Sequence, residues 1–331
     1  MIEHPMSRRR VLQLGLLAAG SAVVSSAEVQ GSWRDRGLTS HRIGKREFLL
    51  QVPVNAKARG PLPVLMLFHG GGGKAAGFAR YSGFQALCNQ AGFIGVYPQG
   101  VNKHWYDARY RRAVPPPRGV DDPAFVHRLI DWVLRTQQAD ASRIYAMGMS
   151  NGGIFVQELG LLMADRLAAI ASACAQLPAP LAGGFSPGAP LSIMMMNGTE
   201  DPIVPYQGGE VGMRRRWGRD KGKKKATGRV IATGRNVRLW VEHNGLPATP
   251  QTTDLPDSVP GDGCRVQRLR WSRGSSGQGG GPTVELYRID GGGHALPGRS
   301  RYLPEKLIGR VCRDIDSTQV IWRFLSAQRR S

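Results

Sequence analysis

The chain has 331 residues, of which 41% are hydrophobic and 21% are charged. This composition is typical of a soluble globular protein with a sizeable core, and it argues against a disordered chain. The formal net charge of +21 at pH 7 favours non-specific contact with anionic surfaces, but it carries no information about the fold.

The N-terminus has the order of an export signal. Residues 7–12 read SRRRVL, the apolar run Val11–Val24 overlaps them, and residues 25–27 (SSA) offer small side chains for cleavage. The paired arginines resemble a twin-arginine signal. A membrane anchor is the alternative, but the run is shorter than the roughly 20 apolar residues that span a bilayer. We therefore predict an export signal over residues 1–27, a secreted or periplasmic mature chain and no membrane span.

Strands and helices alternate along residues 28–331. A polar lead-in over 28–45 precedes a predicted edge strand over Glu47–Val54 and a buried strand over Pro63–Phe68. The pattern then predicts, in chain order, helix Gly77–Ala91, strand Phe93–Tyr97, a helix opened by Pro123, strand Arg143–Met147, helix Ile154–Met163, strands Leu167–Ala173, Leu191–Met196 and Val284–Ile289, and helix Gln319–Ala327. This alternation predicts an α/β fold with a mostly parallel central sheet and helices on both faces. We expect one domain over 28–331, with a basic insertion at 213–225.

The pentapeptide Gly148-Met149-Ser150-Asn151-Gly152 fits the nucleophile elbow G-x-S-x-G. In this motif the serine sits on a sharp turn between a strand and a helix, so the residues two before and two after it must lack side chains. A strand is predicted before the motif and a helix after it, which is the required context. A glycine-rich turn with an incidental serine is the alternative. We predict that Ser150 is a nucleophile.

A serine nucleophile needs a base and an acid, which follow it in this fold in the order acid, then histidine. His243 lies at a predicted helix end, whereas His294 lies in a loop just after a predicted strand. Catalytic groups of such sheets lie in loops at the carboxyl ends of strands, so we predict His294 as the base. An exposed loop histidine is the alternative. Glu200 and Asp201 are the candidate acids, and the spacing favours Asp201.

The oxyanion of an acyl-transfer reaction needs two backbone N–H donors. One is predicted from Asn151, directly after the nucleophile. The other is predicted from Gly70 and Gly71, in the run His69–Gly73 (HGGGG), which follows a buried strand and resembles the HGGG-type motif. A phosphate-cradling loop is the alternative, but the spacing G-x-x-x-x-G-K-[ST] is missing.

Two aromatic and two acidic residues invite a binding role. Trp105 and Tyr106 are candidates to line an acyl or sugar pocket, with simple packing as the alternative. Asp121 and Asp122 are candidate metal ligands, but two carboxylates without a nearby histidine or third acid make a weak site. We predict no metal and no cofactor.

The four cysteines fall into two pairs by context. Cys88 and Cys174 lie in apolar patterns and are interpreted as small buried hydrophobic residues. Cys264 and Cys312 are the better candidates for a disulfide, which export would permit. Sequence alone leaves their pairing open.

Taken together, the motifs resemble the esterase family that contains secreted polyhydroxybutyrate depolymerases and feruloyl or acetylxylan esterases (carbohydrate esterase family 1), within the α/β-hydrolase superfamily. The matching pieces, in family order, are LFHGGGG at 67–73, VDDPAF at 120–125, GMSNGG at 148–153, NGTEDPIVPY at 197–206, GGGHALPG at 291–298 and STQVIWRFL at 317–325. The resemblance implies a triad of Ser150, Asp201 and His294. It also implies hydrolysis, through an acyl-enzyme, of polyhydroxybutyrate-type oligoesters or of feruloyl or acetyl esters of polysaccharide.

The chain departs from the family at three places. Leu296 stands where the family often has a tryptophan, two residues after the catalytic histidine. Leu246 stands where the family often has a cysteine, so the family disulfide is not inherited. The insertion at 213–225 is not a family feature. Substrate choice therefore stays open.

Two other functions compete with the esterase. The net charge and the runs at 214–216 (RRR) and 223–225 (KKK) favour a polyanion-binding protein on a hydrolase scaffold. No nucleic-acid motif is present, so no specific nucleic-acid partner is predicted. A serine peptidase of the same fold is the second alternative. A scaffold without activity is disfavoured by the intact order of serine, acid and histidine.

Overall fold

A computed structural model describes residues 37–54, 56–109, 116–213, 227–273 and 281–330. The predicted export signal and nearly all of the basic insertion lie outside the described residues, so both stay predictions. Among the helices that the structure describes, none combines the length and the apolar character that a membrane crossing requires.

The described strands form one large sheet and a small two-stranded ribbon. The strands are β1 (Leu38–Ile43), β2 (Arg46–Gln51), β3 (Leu62–Phe68), β4 (Ile94–Pro98), β5 (Ala139–Met149), β6 (Ala169–Ala173), β7 (Ser192–Gly198), β8 (Gly209–Glu210), β9 (Arg229–Val230), β10 (Gln251–Asp254), β11 (Arg265–Trp271) and β12 (Val284–Asp290). The large sheet has the order β1-β2-β4-β3-β5-β6-β7-β12-β11-β10, and β8 pairs with β9. Strands β4, β3, β5, β6, β7 and β12 are parallel, whereas the strands at both ends of the sheet pair antiparallel.

The described helices are α1 (Ala75–Tyr81), α2 (Phe84–Ala91), α3 (Asp122–Thr136), α4 (Asn151–Leu162), α5 (Thr233–His243), α6 (Glu305–Ile308) and α7 (Ser317–Ser326). Short 3-10 turns occupy Ala56–Arg59, Val101–Lys103, Ala179–Gly184 and Pro260–Asp262.

The centre of the sheet is buried on both faces, as the predicted fold requires. Ile144 and Ala146 of β5 belong to one hydrophobic cluster with Phe125 of α3. Tyr145, between them in the strand, faces the opposite way, and its ring lies 6.2 Å from the ring of Trp322 in α7. Because successive strand residues point to opposite faces, these contacts place helices on both sides. The predicted α/β fold is confirmed.

The N-terminal end of the sheet differs from the prediction. The polar lead-in contains β1, and the strand predicted at the edge is β2, which pairs with both β1 and β4. The residues of β1 read LTSHRI and are mostly exposed. An edge strand with one solvated side lacks the apolar run that marks a buried strand, which is why the pattern did not show it.

The helix predicted over Gly77–Ala91 is two helices. Helix α1 ends at Tyr81, and α2 begins at Phe84. Between them Gly83 has φ 79°, in the left-handed region. Glycine adopts this conformation without steric cost, so it allows the chain to turn between two short helices.

The other end of the sheet is an antiparallel extension that the sequence pattern did not predict. Strand β11 pairs with β12 along its whole length, from Arg265 opposite Asp290 to Trp271 opposite Val284. Strand β10 is the outermost, and all four of its residues are exposed. Strand β11 carries three arginines on a half-exposed surface, so its hydrophobic periodicity is weak.

Candidate active site

Ser150 lies at a strained turn between β5 and α4. Strand β5 ends at Met149, α4 begins at Asn151, and Ser150 between them has φ 57° and ψ −125°. A Cβ atom on Gly148 would lie 2.3 Å from the carbonyl oxygen of Gly152, and a Cβ on Gly152 would lie 2.3 Å from that of Phe68. The backbone contacts therefore account for both glycines of the motif, because any side chain there would collide with backbone.

Three predicted site residues form one hydrogen-bonded row. His294 Nδ1 lies 2.6 Å from Asp201 Oδ2, and His294 Nε2 lies 2.8 Å from Ser150 Oγ. The side chains of His294 and Asp201 are each only 2% exposed. An ionised carboxylate only accepts hydrogen bonds, so it fixes the proton on Nδ1. Nε2 is then free to accept the serine hydroxyl proton, which is the tautomer that a general base needs.

The structure separates the two candidate acids. Asp201 Oδ1 accepts hydrogen bonds from the N–H groups of Ile203 at 2.8 Å and Val204 at 2.9 Å, so this carboxylate is oriented at both oxygens. The side chain of Glu200 is 61% exposed and forms an ion pair with Arg310 at 3.3 Å. Of the two, only Asp201 contacts His294.

The other candidate histidine lies elsewhere in the fold. His243 ends α5, and its Nε2 lies 3.2 Å from the carbonyl oxygen of Ala189. The structure therefore brings His294, and not His243, to the serine.

Two tyrosines that the sequence did not point out hold the segment that carries His294. The hydroxyl of Tyr302 donates to the carbonyl oxygen of His294 at 3.0 Å, and the N–H of Leu296 donates to the hydroxyl of Tyr81 at 3.1 Å. The two rings meet edge to face at 5.4 Å. No local motif marks either tyrosine, because one lies in α1 and the other follows the histidine by eight residues.

Backbone pairing adds to this support. The N–H of His294 donates to the carbonyl of Ile308, and that of Gly293 donates to the carbonyl of Arg310 at 2.9 Å. The histidine is therefore fixed on both sides by the segment that follows it in the chain.

The glycine run after β3 lies beside the serine. A Cβ atom on Gly70 would lie 3.4 Å from the Cβ of Ser150, and one on Gly71 would lie 3.5 Å from the Cβ of Asn151. The structure thus brings the predicted oxyanion residues Gly70, Gly71 and Asn151 to one place, next to Ser150. Their use as donors stays a prediction.

His69 anchors this glycine run as a neutral imidazole. Burial is the main cause that lowers the pKa of His69, from 6.5 to about 4. The N–H of Gly100 donates to Nε2 at 3.0 Å, so the ring proton is on Nδ1, which donates to the carbonyl of Gly70 at 2.8 Å. The imidazole therefore links the segment after β4 to the glycine run.

The two aromatic candidates have different surroundings. Trp105 is fully buried, its ring stacks on Phe155 at 5.3 Å, and its Nε1 donates to the carbonyl of His69 at 3.0 Å. These contacts show that Trp105 packs inside the protein, which is one of the two roles that the sequence left open. Tyr106 is half-buried and lines a cavity of about 350 Å³ together with residues 120–123. Contact with a substrate stays a prediction for both residues.

The cysteines are buried thiols in the structure. Sγ of Cys174 lies within 4.8 Å of ligand atoms of Asp201 and His294, and burial together with the Asp201 charge holds its pKa well above the usual range. Cys264 and Cys312 lie within 4.8 Å of each other, so the pair chosen from sequence is brought together.

Comparison with solved structures assigns the fold. An acetyl xylan esterase from Aspergillus awamori superposes with a TM-score of 0.56 at 13% identity, covering 88% of this chain and 99% of that one. With the strand order of the sheet, this likeness defines the chain as a protein of the α/β-hydrolase fold. No protein-family model matches the sequence.

Sequence relatives assign the class of enzyme. The chain is 26% identical to "Putative esterase NocK" of Nocardia uniformis subsp. tsuyamanensis over 80% of its length and 74% of the relative. It is 28% identical to feruloyl esterase B of Piromyces equi over 53% of its length, but it spans only 29% of that protein. It is also 25% identical to poly(3-hydroxyalkanoate) depolymerase C of Paucimonas lemoignei over 89% of its length and 70% of the relative. The chain is an esterase with the α/β-hydrolase fold.

Proposed function

We propose that the chain is an exported carboxylic-ester hydrolase in which Ser150, His294 and Asp201 form the catalytic triad. The observation that carries this proposal is the buried hydrogen-bonded row from Asp201 through His294 to the serine on its strained turn. A strained backbone conformation at a reactive side chain is a common mark of a catalytic site.

The first half of the reaction forms an acyl-enzyme. Ser150 Oγ attacks the ester carbonyl carbon while His294 Nε2 takes the hydroxyl proton. The carbonyl oxygen becomes an oxyanion, which the N–H groups of Asn151 and of Gly70 or Gly71 stabilise. Removing one such donor typically costs about 10²–10³ in rate. The bond from the carbonyl carbon to the alcohol oxygen then breaks, and the alcohol leaves with the proton from His294.

The second half restores the enzyme. Water attacks the acyl carbon and gives a proton to His294 Nε2. The bond between the acyl carbon and Ser150 Oγ breaks, the serine recovers its proton from the imidazolium, and the carboxylic acid is released. Asp201 stays ionised throughout and stabilises the imidazolium.

The relatives suggest the substrate class. The names of two relatives refer to feruloyl esters and to poly(3-hydroxyalkanoate), and the name of the structural neighbour refers to acetyl xylan. We propose feruloyl or acetyl esters of polysaccharide, or oligoesters of the hydroxybutyrate type, and we keep Trp105 and Tyr106 as proposed substrate contacts. The buried Leu296, where the family often has a tryptophan, leaves the choice among these esters to experiment.

The deciding experiment compares wild-type and Ser150→Ala protein on short p-nitrophenyl esters, methyl ferulate and 3-hydroxybutyrate oligomers. We expect wild-type turnover on at least one of these esters and loss of turnover in Ser150→Ala. The preferred ester selects the substrate class. Full activity in Ser150→Ala would show that the triad is assigned wrongly.

The formal charge of +21 supports a second, weaker role as a protein that also contacts polyanions. Such contact is electrostatic, so retention on a polyanion should fall steeply as salt rises. Retention that is independent of salt would exclude it.

Export is a separate part of the proposal. We expect the mature N-terminus to follow Ala27, and replacement of Arg8 and Arg9 by lysine to block export through the twin-arginine route. An N-terminus that retains residues 1–27 in the exported fraction would contradict this part alone.

A further inference from the structure

The side chain of Asn151 has a function distinct from that of its own backbone N–H. Its Oδ1 accepts a hydrogen bond from the N–H of Trp105 at 2.9 Å. Its Nδ2 donates to the carbonyl of Trp105 at 2.9 Å and to Asp107 Oδ2 at 3.0 Å. All these bonds go to one segment, residues 105–107, so the amide fastens the residue after the nucleophile to that segment.

Asp107 is itself held rigidly. Arg109 donates from Nε to Oδ1 at 2.9 Å and from Nη2 to Oδ2 at 2.8 Å, and its backbone N–H also bonds Oδ1 at 2.9 Å. The side chain of Arg109 is 1% exposed and that of Asp107 is 0% exposed. A buried ion pair gains little net stability over apolar packing, so its presence here points to a positional role. The two-pronged geometry fixes the orientation of the carboxylate that receives the Asn151 amide.

The same segment also holds the other half of the proposed oxyanion hole. The indole of Trp105 donates to the carbonyl of His69, directly before Gly70. The N–H of Gly72 donates to the carbonyl of Lys103 at 2.8 Å. The glycine run and the residue after the nucleophile are therefore tied to one short stretch, residues 103–109.

We propose that Asp107 is a positioning residue of the reaction. It acts through the Asn151 amide and the Trp105 backbone to hold the N–H groups of the oxyanion hole at a fixed separation. This inference rests on the proposed function. Stabilisation of an oxyanion depends on donors already in place before the reaction, so an error of about 1 Å in their spacing is expected to cost up to about 10²-fold in rate.

Arg109 has a matching electrostatic role. A lone carboxylate next to Asn151 would oppose the negative charge that develops on the substrate oxygen. The guanidinium of Arg109 neutralises that carboxylate in a buried environment, where solvent screening of charge is weak. Asp107 can therefore bond the amide without raising the energy of the transition state.

The test uses Asn151→Ala and Asp107→Asn, with kcat and KM measured on a short p-nitrophenyl ester. Asn151→Ala keeps the backbone N–H and removes only the amide. We expect kcat to fall about 10- to 100-fold with KM within about threefold of wild type in both variants. The rate of phosphonylation of Ser150 by a small fluorophosphonate should fall with kcat, because that adduct also places an oxygen in the oxyanion hole. The pH of half-maximal activity should stay unchanged, because the triad is untouched.

The matched control is Glu285→Gln. Glu285 is also a buried carboxylate paired with arginines, Arg268 and Arg270, but it lies near the start of β12, away from the site. We expect this variant to lose thermal stability and to keep kcat within about twofold of wild type. A similar kcat loss in Glu285→Gln would show that any broken ion pair lowers activity, and would overturn the positioning role.

Two outcomes separate this inference from the proposed function. Activity that survives in Ser150→Ala refutes the proposed function, whatever Asp107 does. Activity that is lost in Ser150→Ala but retained at the wild-type kcat in Asn151→Ala refutes the positioning role alone. If Asp107→Asn does not fold, Asn151→Ala decides, because it removes the hydrogen bond to Asp107, together with the two to Trp105, and leaves the Asp107–Arg109 ion pair intact.

Discussion

The nucleophile side of the site (residues 68–73 and 148–153) and its histidine side (residues 291–312) are held in place by different kinds of contact. On the nucleophile side, backbone packs against backbone within the buried centre of the sheet, at distances that exclude even a methyl group. On the histidine side, a segment outside the sheet is fixed by paired backbone groups and by two tyrosine hydroxyls.

This difference predicts that the two sides of the site tolerate substitutions to different degrees. Close-packed backbone has no room to relax, so a single added methyl group acts on the fold itself. A segment held by several separate hydrogen bonds loses them one at a time, at about 1 kcal/mol each. We therefore expect a single substitution on the nucleophile side to disrupt the fold, and a single substitution on the histidine side to lower stability and activity by a smaller step.

The largest effect on activity is expected from Gly152→Ala. The new Cβ would lie 2.3 Å from the carbonyl oxygen of Phe68, so the nucleophile turn must shift. We expect a loss of about 3 kcal/mol or more in the free energy of unfolding and at least about a 100-fold fall in kcat/KM. Thermal unfolding and ester hydrolysis measure both quantities. Gly77→Ala in α1 is the control, because its Cβ meets nothing within 4 Å and alanine favours a helix. Equal behaviour of the two variants would refute the comparison.

The next effect concerns Cys264 and Cys312 on the histidine side. The adjacent Cys312 thiol, followed by burial, raises the pKa of Cys264, so the pair is inert without an oxidant. We expect oxidation to join them, stabilising the fold by about 4 kcal/mol for a loop of this length. Mass spectrometry after alkylation should find Cys88 and Cys174 as thiols and the other two bridged. An oxidised protein that melts at the same temperature as the Cys264→Ser/Cys312→Ser variant would contradict this expectation.

A pH effect is expected on the nucleophile side from His69. Because its pKa is lowered from 6.5 to about 4 in the folded protein, the unfolded chain binds the proton first as pH falls. Its contribution to stability is complete above pH 6.5 and is lost as pH falls toward 4. Between these limits we expect the free energy of unfolding to fall by up to about 3 kcal/mol more in wild type than in His69→Gln. Urea unfolding at several pH values measures this, and parallel pH dependences would contradict it.

The smallest effect is expected from Tyr302→Phe, which removes one hydrogen bond to the carbonyl of His294. We expect a loss of about 1 kcal/mol in stability and a several-fold fall in kcat. Tyr145→Phe is the matched control, because its hydroxyl also donates to a backbone carbonyl, that of Gln328, and not to the segment that carries His294. It should lose similar stability and keep kcat. A fall of kcat in the control as large as in Tyr302→Phe would remove the special role of the histidine side.

The same contrast explains what the sequence could predict. The nucleophile turn is a local motif, and the order of serine, acid and histidine follows the fold. The sequence therefore pointed to Ser150, Asp201 and His294 one at a time, and the structure brings them together. Glu200 and Asp201 are adjacent in the chain; the spacing and the family resemblance favoured Asp201, and the fold brings its carboxylate to His294. The contact between Asp107 and Asn151 joins residues 44 positions apart in sequence, and no periodicity or short motif reports it.

The two ends of the large sheet have a consequence for how copies of the chain meet. Among the described strands, β1 and β10 each have a single neighbour, so each leaves one row of backbone N–H and C=O groups without a partner strand. Strand β1 has one buried residue among its six, and β10, Gln251–Asp254, is short, polar and fully exposed. A strand from another molecule that added to either edge would find polar and charged side chains and little apolar surface to bury. The open sheet is thereby protected against the strand-by-strand growth that leads to amyloid.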